Sequence, residues 1–521
     1  MTTAQPADVP VAHGDALGRL ALDIEPFTVD AVQGALGEVA AAALGRDDPV
    51  PARRALAHDD DPAAVLALLW LLGGPVARRR LDRALPRTTT DGLERLGLVR
   101  AAGTGADDEV LAAVDLRPIE SDGATWWLAS DVGEMVAGGP LRHDHVLGLG
   151  GASTTLAAWT PREPVGRALD VGTGSGVQAL YLARHARRVT ATDLSRRALA
   201  FARFNAALNA RASGPFSGRE LDLRHGSLWE PVAGEQFDLV VSNPPFVISP
   251  RTAVASGGAP VYEYRDGGLV GDAVVAAMVG GLGTMLAPGG MGQLLGNWEH
   301  RAAEGWRDRV SSWLPEGLDV WVVQREVLDP AQYAETWARD GGHVPGTSDY
   351  QSLVEAYLED FEARGVEAVG FGVVTARRPD DACDRPFVRR LEEVTGPVGG
   401  GGPMGTVVTE VLAAERWLAA TPDEGLLDVR LRLAPDVTEE RFGTPGAEHP
   451  QVVLLRQGGG LQRAVRAGTA LAGLVGACDG DLSIGQIVGA LATLLDEPVD
   501  SLRGALLPQV RGLVADGLLH R

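Results

Sequence analysis

No lysine occurs in these 521 residues; all 47 positions counted as Lys or Arg are arginine. That absence excludes a Schiff-base lysine, a pyridoxal phosphate anchor and a P-loop lysine for nucleoside triphosphates. Cysteine is almost missing as well. Cys383 and Cys478 lie far apart with no metal-ligand spacing, so neither structural disulfides nor a cysteine metal site is expected. His143 and His145 flank Asp144 without further ligands, and no metal is expected there either. Long apolar runs are also lacking: Ala63 to Leu72 is too short to span a bilayer, and Val274 to Pro288 is interrupted by glycines. Met1 to Pro10 has no charged region leading into an apolar one, so no signal peptide is read. The expectation is a cytoplasmic protein with no membrane partner.

What is present is a globular composition, 45% hydrophobic and 22% charged. The length is too great for one ordinary core, and two to four domains are expected. A formal net charge of −22 argues against a large naked polyanion as partner, because phosphate binding needs a basic footprint. A local arginine patch would still permit one.

Three regions follow from the patterning. Residues 1–145 read as helices, with apolar positions at helical spacing through Ala31 to Leu44 and Ala63 to Leu72. Asp91 to Arg100 reads as a short helix closed by Gly97, with Leu98 folding back over its end. Glu109 to Val114 and Thr125 to Leu128 then suggest a hairpin around Ser121-Asp122-Gly123. A winged-helix-like module and a plain helical cap with a β-arm both fit this order. Residues 146–377 alternate strand and helix as an α/β doubly wound sheet does. Strands are expected at 167–171, 188–192, 219–224, 237–242, 289–295, 319–324 and 367–375. Residues 378–521 open with a glycine-rich linker at 396–403. They end in two amphipathic helical patterns, Leu482 to Leu495 and Ser501 to Leu518. There Gly517-Leu518-Leu519 echoes Gly97-Leu98-Val99, so a second winged-helix-like module is open.

Two motifs carry the chemistry. In the first, an apolar strand delivers Asp170 into the turn Val171-Gly172-Thr173-Gly174-Ser175-Gly176. Glycines at 172, 174 and 176 let backbone pass close to a ligand. A dinucleotide fingerprint wants glycine three places after Gly174, where Val177 stands. The second motif is Ser242-Asn243-Pro244-Pro245-Phe246, about seventy residues after the first. In this order and spacing the chain resembles the class I S-adenosylmethionine-dependent methyltransferases of the N-methylating branch. That branch includes the "methyltransferase small" enzymes and the release-factor glutamine methyltransferases, and the resemblance covers residues 146 to 377.

The resemblance implies a Rossmann-like seven-stranded sheet with S-adenosylmethionine as cofactor, flanked by mainly helical accessory domains. It implies cofactor contacts from Asp170, Gly172, Thr173, Gly174 and Gly176, with Asp193 and Leu194 at the ribose and Ser227 and Leu228 at the adenine. Asp193 can equally serve as a helix N-cap. Leu147 to Ser153 resembles the loop that covers the methionine end. At the second motif, the Asn243 side-chain oxygen and the Pro244 carbonyl would accept the hydrogens of a planar NH2 and aim its lone pair at the methyl group. Pro244 and Pro245 fix φ, and Phe246 would stack on the acceptor. Release-factor enzymes usually have tyrosine where Phe246 stands, whereas several RNA base methyltransferases have phenylalanine. Tyr262, Tyr264, Arg265 and Asp266, in the loop that follows, are candidate substrate contacts.

The expected activity is N-methylation of a planar NH2 on a macromolecule, either a protein glutamine amide or an exocyclic amine of an RNA or DNA base. The rival classes are a non-catalytic cofactor-binding scaffold and a small-molecule methyltransferase. Because every recognised motif falls between 146 and 377, the flanks are expected to recognise substrate.

Overall fold

The computed structural model describes residues 9–521 except 13, 122, 134, 135, 137–141, 212–215, 217, 218, 220, 251–268, 381–385, 400–402, 447 and 448. Two compact units divide the chain. The first holds Met1–Ala157, Pro164–Trp313 and Val327–Phe371; the second holds Ala158–Glu163, Leu314–Glu326 and Gly372–Arg521. These cuts fall elsewhere than the boundaries at 145 and 377 suggested by patterning.

In the first unit, helices between Asp15 and Leu71 lead into a small module. Its elements are β1 (Val76–Ala77), α1 (Arg78–Ala84), α2 (Thr89–Arg95), β2 (Val99–Ala101) and β3 (Glu109–Ala112). The sheet order is β1-β3-β2. The hairpin differs from expectation. Its turn lies where it was read, but β5 (Ala124–Ser130) pairs with β4 (Asp115–Ser121), while β3 joins the module's own sheet. Pro118 hid β4: a residue without an N–H weakens any strand reading, yet is tolerated at an edge, and here it sits opposite Trp127.

The α/β part of this unit contains five parallel strands in the order β10-β9-β6-β7-β8. They are β6 (Val165–Val171), β7 (Ala186–Asp193), β8 (Leu221–His225), β9 (Phe237–Ser242) and β10 (Leu286–Arg301). Helices α3 (Val177–Leu182), α4 (Arg196–Arg211) and α5 (Ala273–Met285) connect or follow them. The inner strand β9 carries a continuous apolar run, Leu239-Val240-Val241, as a strand covered on both faces requires. Its Val240 and Val241 are wholly buried. Farther along lie β11 (Asp319–Leu328), α6 (Pro330–Asp340), α7 (Ser348–Arg364) and β12 (Val366–Arg377).

A strand that patterning did not give pairs with β11. It is β13 (Arg389–Glu393), parallel to β11 in the second unit. Four of its five residues are charged, so no apolar alternation announced it. The rest of the second unit pairs β14 (Arg432–Leu433) with the terminal strand Leu519–His520, which follows α8 (Ile484–Leu495) and α9 (Val499–Ala515). In the expected linker, the Gly399 N–H donates to the Gly460 carbonyl at 2.8 Å, and residues 400–402 fall outside the described residues.

Candidate active site

The strand-to-helix turn after β6 is built by its own side chains. Asp170 is fully buried, and its Oδ2 accepts from Thr173 Oγ1 at 2.6 Å and from the Ala179 N–H at 3.1 Å. Gly172, Gly174 and Gly176 all have positive φ, at 73°, 55° and 89°. Their reasons differ. A Cβ on Gly174 would meet no protein atom within 4 Å, so this position faces open space. A Cβ on Gly176 would press on Ala202 of α4 at 3.2 Å, so this glycine serves helix packing, not ligand approach as expected. Asp193 stands at the end of β7, and both its carboxylate oxygens accept from backbone N–H groups. Its Oδ1 accepts from the Ser195 N–H at 2.8 Å, and its Oδ2 accepts from the Gly174 N–H at 2.8 Å.

β9 then brings the second motif alongside. Ser242 Oγ donates to the Val171 carbonyl at 2.7 Å, which ties the start of the Asn-Pro-Pro turn to the end of β6. A cavity of about 610 Å³ lies at these strand ends, where doubly wound sheets bind ligands. Gly172, Thr173, Gly174, Asp193, Leu194, Ser227, Leu228, Asn243, Pro244 and Pro245 all line it. Leu228 holds a left-handed φ of 46°, unusual for leucine and the kind of strain that gathers at binding sites. Within the cavity wall, Asn243 Oδ1 is buried and accepts no hydrogen bond from the described residues.

Three expected residues fall elsewhere. Asp170 does not reach the cavity; it holds the turn from below, with Oδ1 unpartnered. Burial, reinforced by the nearby Asp193 charge, pushes its pKa up to about 7 against the opposing bonds from Thr173 and Ala179. Gly176 is likewise off the wall. Phe246 is half-buried outside the lining, edge-on to Phe371 with ring centroids 6.4 Å apart. Tyr262, Tyr264, Arg265 and Asp266 lie outside the described residues.

The remaining wall was not anticipated. Asp115 and Arg117 of β4, Ser130 of β5, Asp131 and His145 face the same cavity. Asp131 pairs with Arg197 of α4 (Nε to Oδ2, 3.0 Å) and also accepts from the Val146 N–H at 2.9 Å. Burial, with Arg197 and Arg142 adding to it, lowers the His145 pKa against Asp131 and Asp144, which favours a neutral imidazole. The covering loop is fastened from below: Ser175 Oγ donates to the Leu147 carbonyl and Gln178 Nε2 to the Ser153 carbonyl, both at 2.8 Å.

The hairpin reaches this position through two amides one helical turn apart. On α4, Asn205 Oδ1 accepts from the Ala129 N–H and its Nδ2 donates to the Ala129 carbonyl, both at 2.8 Å. Asn209 does the same to Trp127, at 3.0 and 2.8 Å. The side chains thus act as a substitute strand on the open edge of β5. Two asparagines at i and i+4 inside an apolar helix face are the one sequence signal that could have revealed this contact.

Residues 148–256 match the model of the methyltransferase small domain. That stretch, about a fifth of the chain, belongs to this family within the class I S-adenosylmethionine-dependent methyltransferases. Segments 25–113 and 409–521 each match a domain of unknown function. A release factor glutamine methyltransferase of Xylella fastidiosa is 36% identical over 152 residues, 26% of this chain and 49% of that protein. A tRNA1(Val) (adenine(37)-N6)-methyltransferase of Klebsiella pneumoniae is 38% identical over 98 residues, 18% of this chain and 37% of that protein. The chain therefore spans about half or less of the length of these relatives. A solved S-adenosylmethionine-dependent methyltransferase from Thiobacillus denitrificans, in complex with S-adenosyl-L-homocysteine, is 18% identical. It covers 43% of this chain and 90% of that one, with a TM-score of 0.22.

Proposed function

We propose that the chain transfers a methyl group from S-adenosylmethionine to a planar NH2 group of a macromolecule. The observation that carries this reading is Asn243 Oδ1, a buried acceptor with no donor among the described residues, beside an open glycine turn. A buried acceptor left unpaired costs about 1–3 kcal/mol, a cost offset when a donor docks there. The amine hydrogens of the acceptor are such donors.

The residues present fit the cofactor. Gly172, Thr173 and Gly174 would hold the methionine end, Asp193 and Leu194 the ribose, and Ser227 and Leu228 the adenine. When bound, S-adenosylmethionine supplies an electrophilic methyl group on a sulfonium. Asn243 Oδ1 and the Pro244 carbonyl accept the two N–H hydrogens of the acceptor and turn its lone pair out of conjugation. Pro244 and Pro245 hold that carbonyl without reorganisation. Positioning supplies the catalytic effect, and the surplus proton of the methylated nitrogen would pass to water.

A protein glutamine amide is the first reading of the acceptor. The exposed face of α2 carries Asp91 and Glu94 beside Arg95, so this helix lacks the positive charge that phosphate contact requires. An exocyclic base amine is the second, favoured by the similarity to the Klebsiella adenine methyltransferase. Transfer of tritiated methyl into a cell lysate, followed by separate protease and nuclease digestion, distinguishes them by which treatment destroys the label. Asn243→Ala should keep cofactor affinity and lower transfer about a hundredfold to a thousandfold. Transfer at the wild-type rate in that variant would remove the reading.

A further inference from the structure

Beyond the Asn-Pro-Pro turn, the chain is held by a side chain from another part of the fold. The Ile248 N–H donates to Tyr333 Oη at 2.8 Å, and Asn297 Nδ2 donates to the same oxygen at 3.3 Å. Ile248, Asn297 and Tyr333 are all buried to within about 1% of their surface. Tyr333 stands in the first turn of α6, where a capping box between Asp329 and Gln332 fixes the helix start. Its ring is nearly parallel to that of Phe371, with centroids 5.8 Å apart, and Phe371 in turn meets Phe246 edge-on. One tyrosine therefore restrains the motif twice: by hydrogen bond two residues beyond Phe246, and through Phe371 at Phe246 itself.

We infer that Tyr333 is a positioning residue for the Asn243–Phe246 turn, fixing the direction in which Asn243 Oδ1 and the Pro244 carbonyl point. The inference rests on the N-methylation reading for its functional part; the anchoring itself does not depend on that reading. Burial holds the phenol pKa well above its ordinary value, so the hydroxyl remains protonated and contributes by hydrogen bonding, not as a base. A turn that must present two acceptors to one nitrogen tolerates little displacement, and losing its anchor slows the reaction without touching the cofactor end.

The test uses the full chain with Tyr333→Phe, which keeps the ring against Phe371 and removes the oxygen. Amide hydrogen exchange at Ile248 should accelerate at least about tenfold as its acceptor disappears. Affinity for S-adenosylhomocysteine should stay within about twofold, while kcat for tritiated methyl transfer to the lysate fraction labelled by the wild type falls at least about tenfold, with little change in KM. Phe371→Leu is the second variant, needed if Tyr333→Phe does not fold. It leaves the hydrogen bond in place and should slow transfer at least about threefold at unchanged cofactor affinity. Unchanged Ile248 exchange, or transfer within about twofold of wild type once that protection is lost, overturns the inference. If the wild type labels nothing, N-methylation itself fails, and Ile248 exchange alone decides whether Tyr333 anchors the turn.

Discussion

Gly97 closes α2 and Gly517 closes α9 with the same pair of bonds. The Gly97 N–H donates to the Glu94 carbonyl and the Leu98 N–H to the Leu93 carbonyl, each at 3.0 Å. The Gly517 N–H donates to the Val514 carbonyl at 3.1 Å and the Leu518 N–H to the Leu513 carbonyl at 2.8 Å. Each glycine has positive φ, each following leucine is fully buried, and each leads into a short strand. Beyond the cap the two flanks part. The core around Leu98 runs on without a break into Ala198, Phe201, Phe204 and Leu208 of α4, inside the methyltransferase small domain. Among the described residues, the core around Leu518 draws on Ala414 and residues that follow it. Alike in local fold, one flank shares its core with α4 and the other has a core of its own. Burial and bonding decide what a domain is; the similarity of the two helix ends does not.

The largest expected effect breaks the chain at this contrast. Removing residues 1–145 takes Asp115, Arg117, Ser130, Asp131 and His145 from the cavity wall and uncovers the apolar face of α4. We expect no folded protein that binds S-adenosylhomocysteine. Removing residues 423–521, none of whose described residues lines the cavity, should leave that affinity within about threefold. Calorimetric titration of both truncations decides; full affinity in the first would erase the distinction. One step smaller, Asn205→Leu strands the Ala129 N–H and carbonyl and frees the Ser175 carbonyl, which Asn205 also holds at 2.8 Å. It should cost about 2–5 kcal/mol in urea unfolding and weaken cofactor binding. Gln457→Leu, the counterpart in the second flank, loses one bond to the Asp516 carbonyl and should cost only about 1 kcal/mol, with cofactor affinity unchanged.

The two units should also answer pH in opposite directions. In the first, burial raises Asp170 from 3.8 to about 7. A folded pKa above the unfolded one gives stability that is full below pH 3.8 and lost as pH rises toward 7, at up to about 1.4 kcal/mol per pH unit. In the second, burial alone would raise Glu392, but Arg390 and Arg463 outweigh it and hold its pKa below 4.5. That contribution is full above pH 4.5 and lost as pH falls through the folded value. Urea midpoints measured between pH 4 and 8 should lose the alkaline slope in Asp170→Asn and the acid slope in Glu392→Gln. If Asp170→Asn keeps the wild-type slope from pH 4 to 7, the buried carboxyl does not titrate as described.

The sequence revealed the parts of the site that lie on strand ends. The glycine turn, Asp193 and the Asn-Pro-Pro run announce themselves because each requires a particular residue for backbone reasons. Asp170 and Gly176 were legible as motif members but not in their roles, because a motif does not tell a residue that touches ligand from one that supports the turn. The hairpin wall was invisible. Asp115, Arg117 and Asp131 belong to no motif, and Pro118 disguised the strand that carries two of them. What brings them to the cavity is a long-range pairing of Asn205 and Asn209 with Ala129 and Trp127, 76 and 82 residues away in sequence. Tyr333 was hidden for the same reason, lying 85 residues from the amide it holds.

The smallest prediction returns to the two caps. Gly97→Ala and Gly517→Ala each force a Cβ into the left-handed region, at φ 73° and 76°, and each should cost about 1–2 kcal/mol. The local penalty is the same because the cap is the same. Its consequence should not be. A strained end of α2 loosens Leu98, which shares its core with Phe201 and Phe204, so cofactor affinity in Gly97→Ala should fall as the unfolding midpoint does. A strained end of α9 loosens Leu518, whose described core partners lie from Ala414 onward, so Gly517→Ala should lower stability and leave cofactor affinity alone. Urea unfolding paired with S-adenosylhomocysteine titration measures both quantities on both variants. Equal loss of affinity in the two would mean that the second flank supports the cavity as closely as the first does, and the division between them would have to be abandoned.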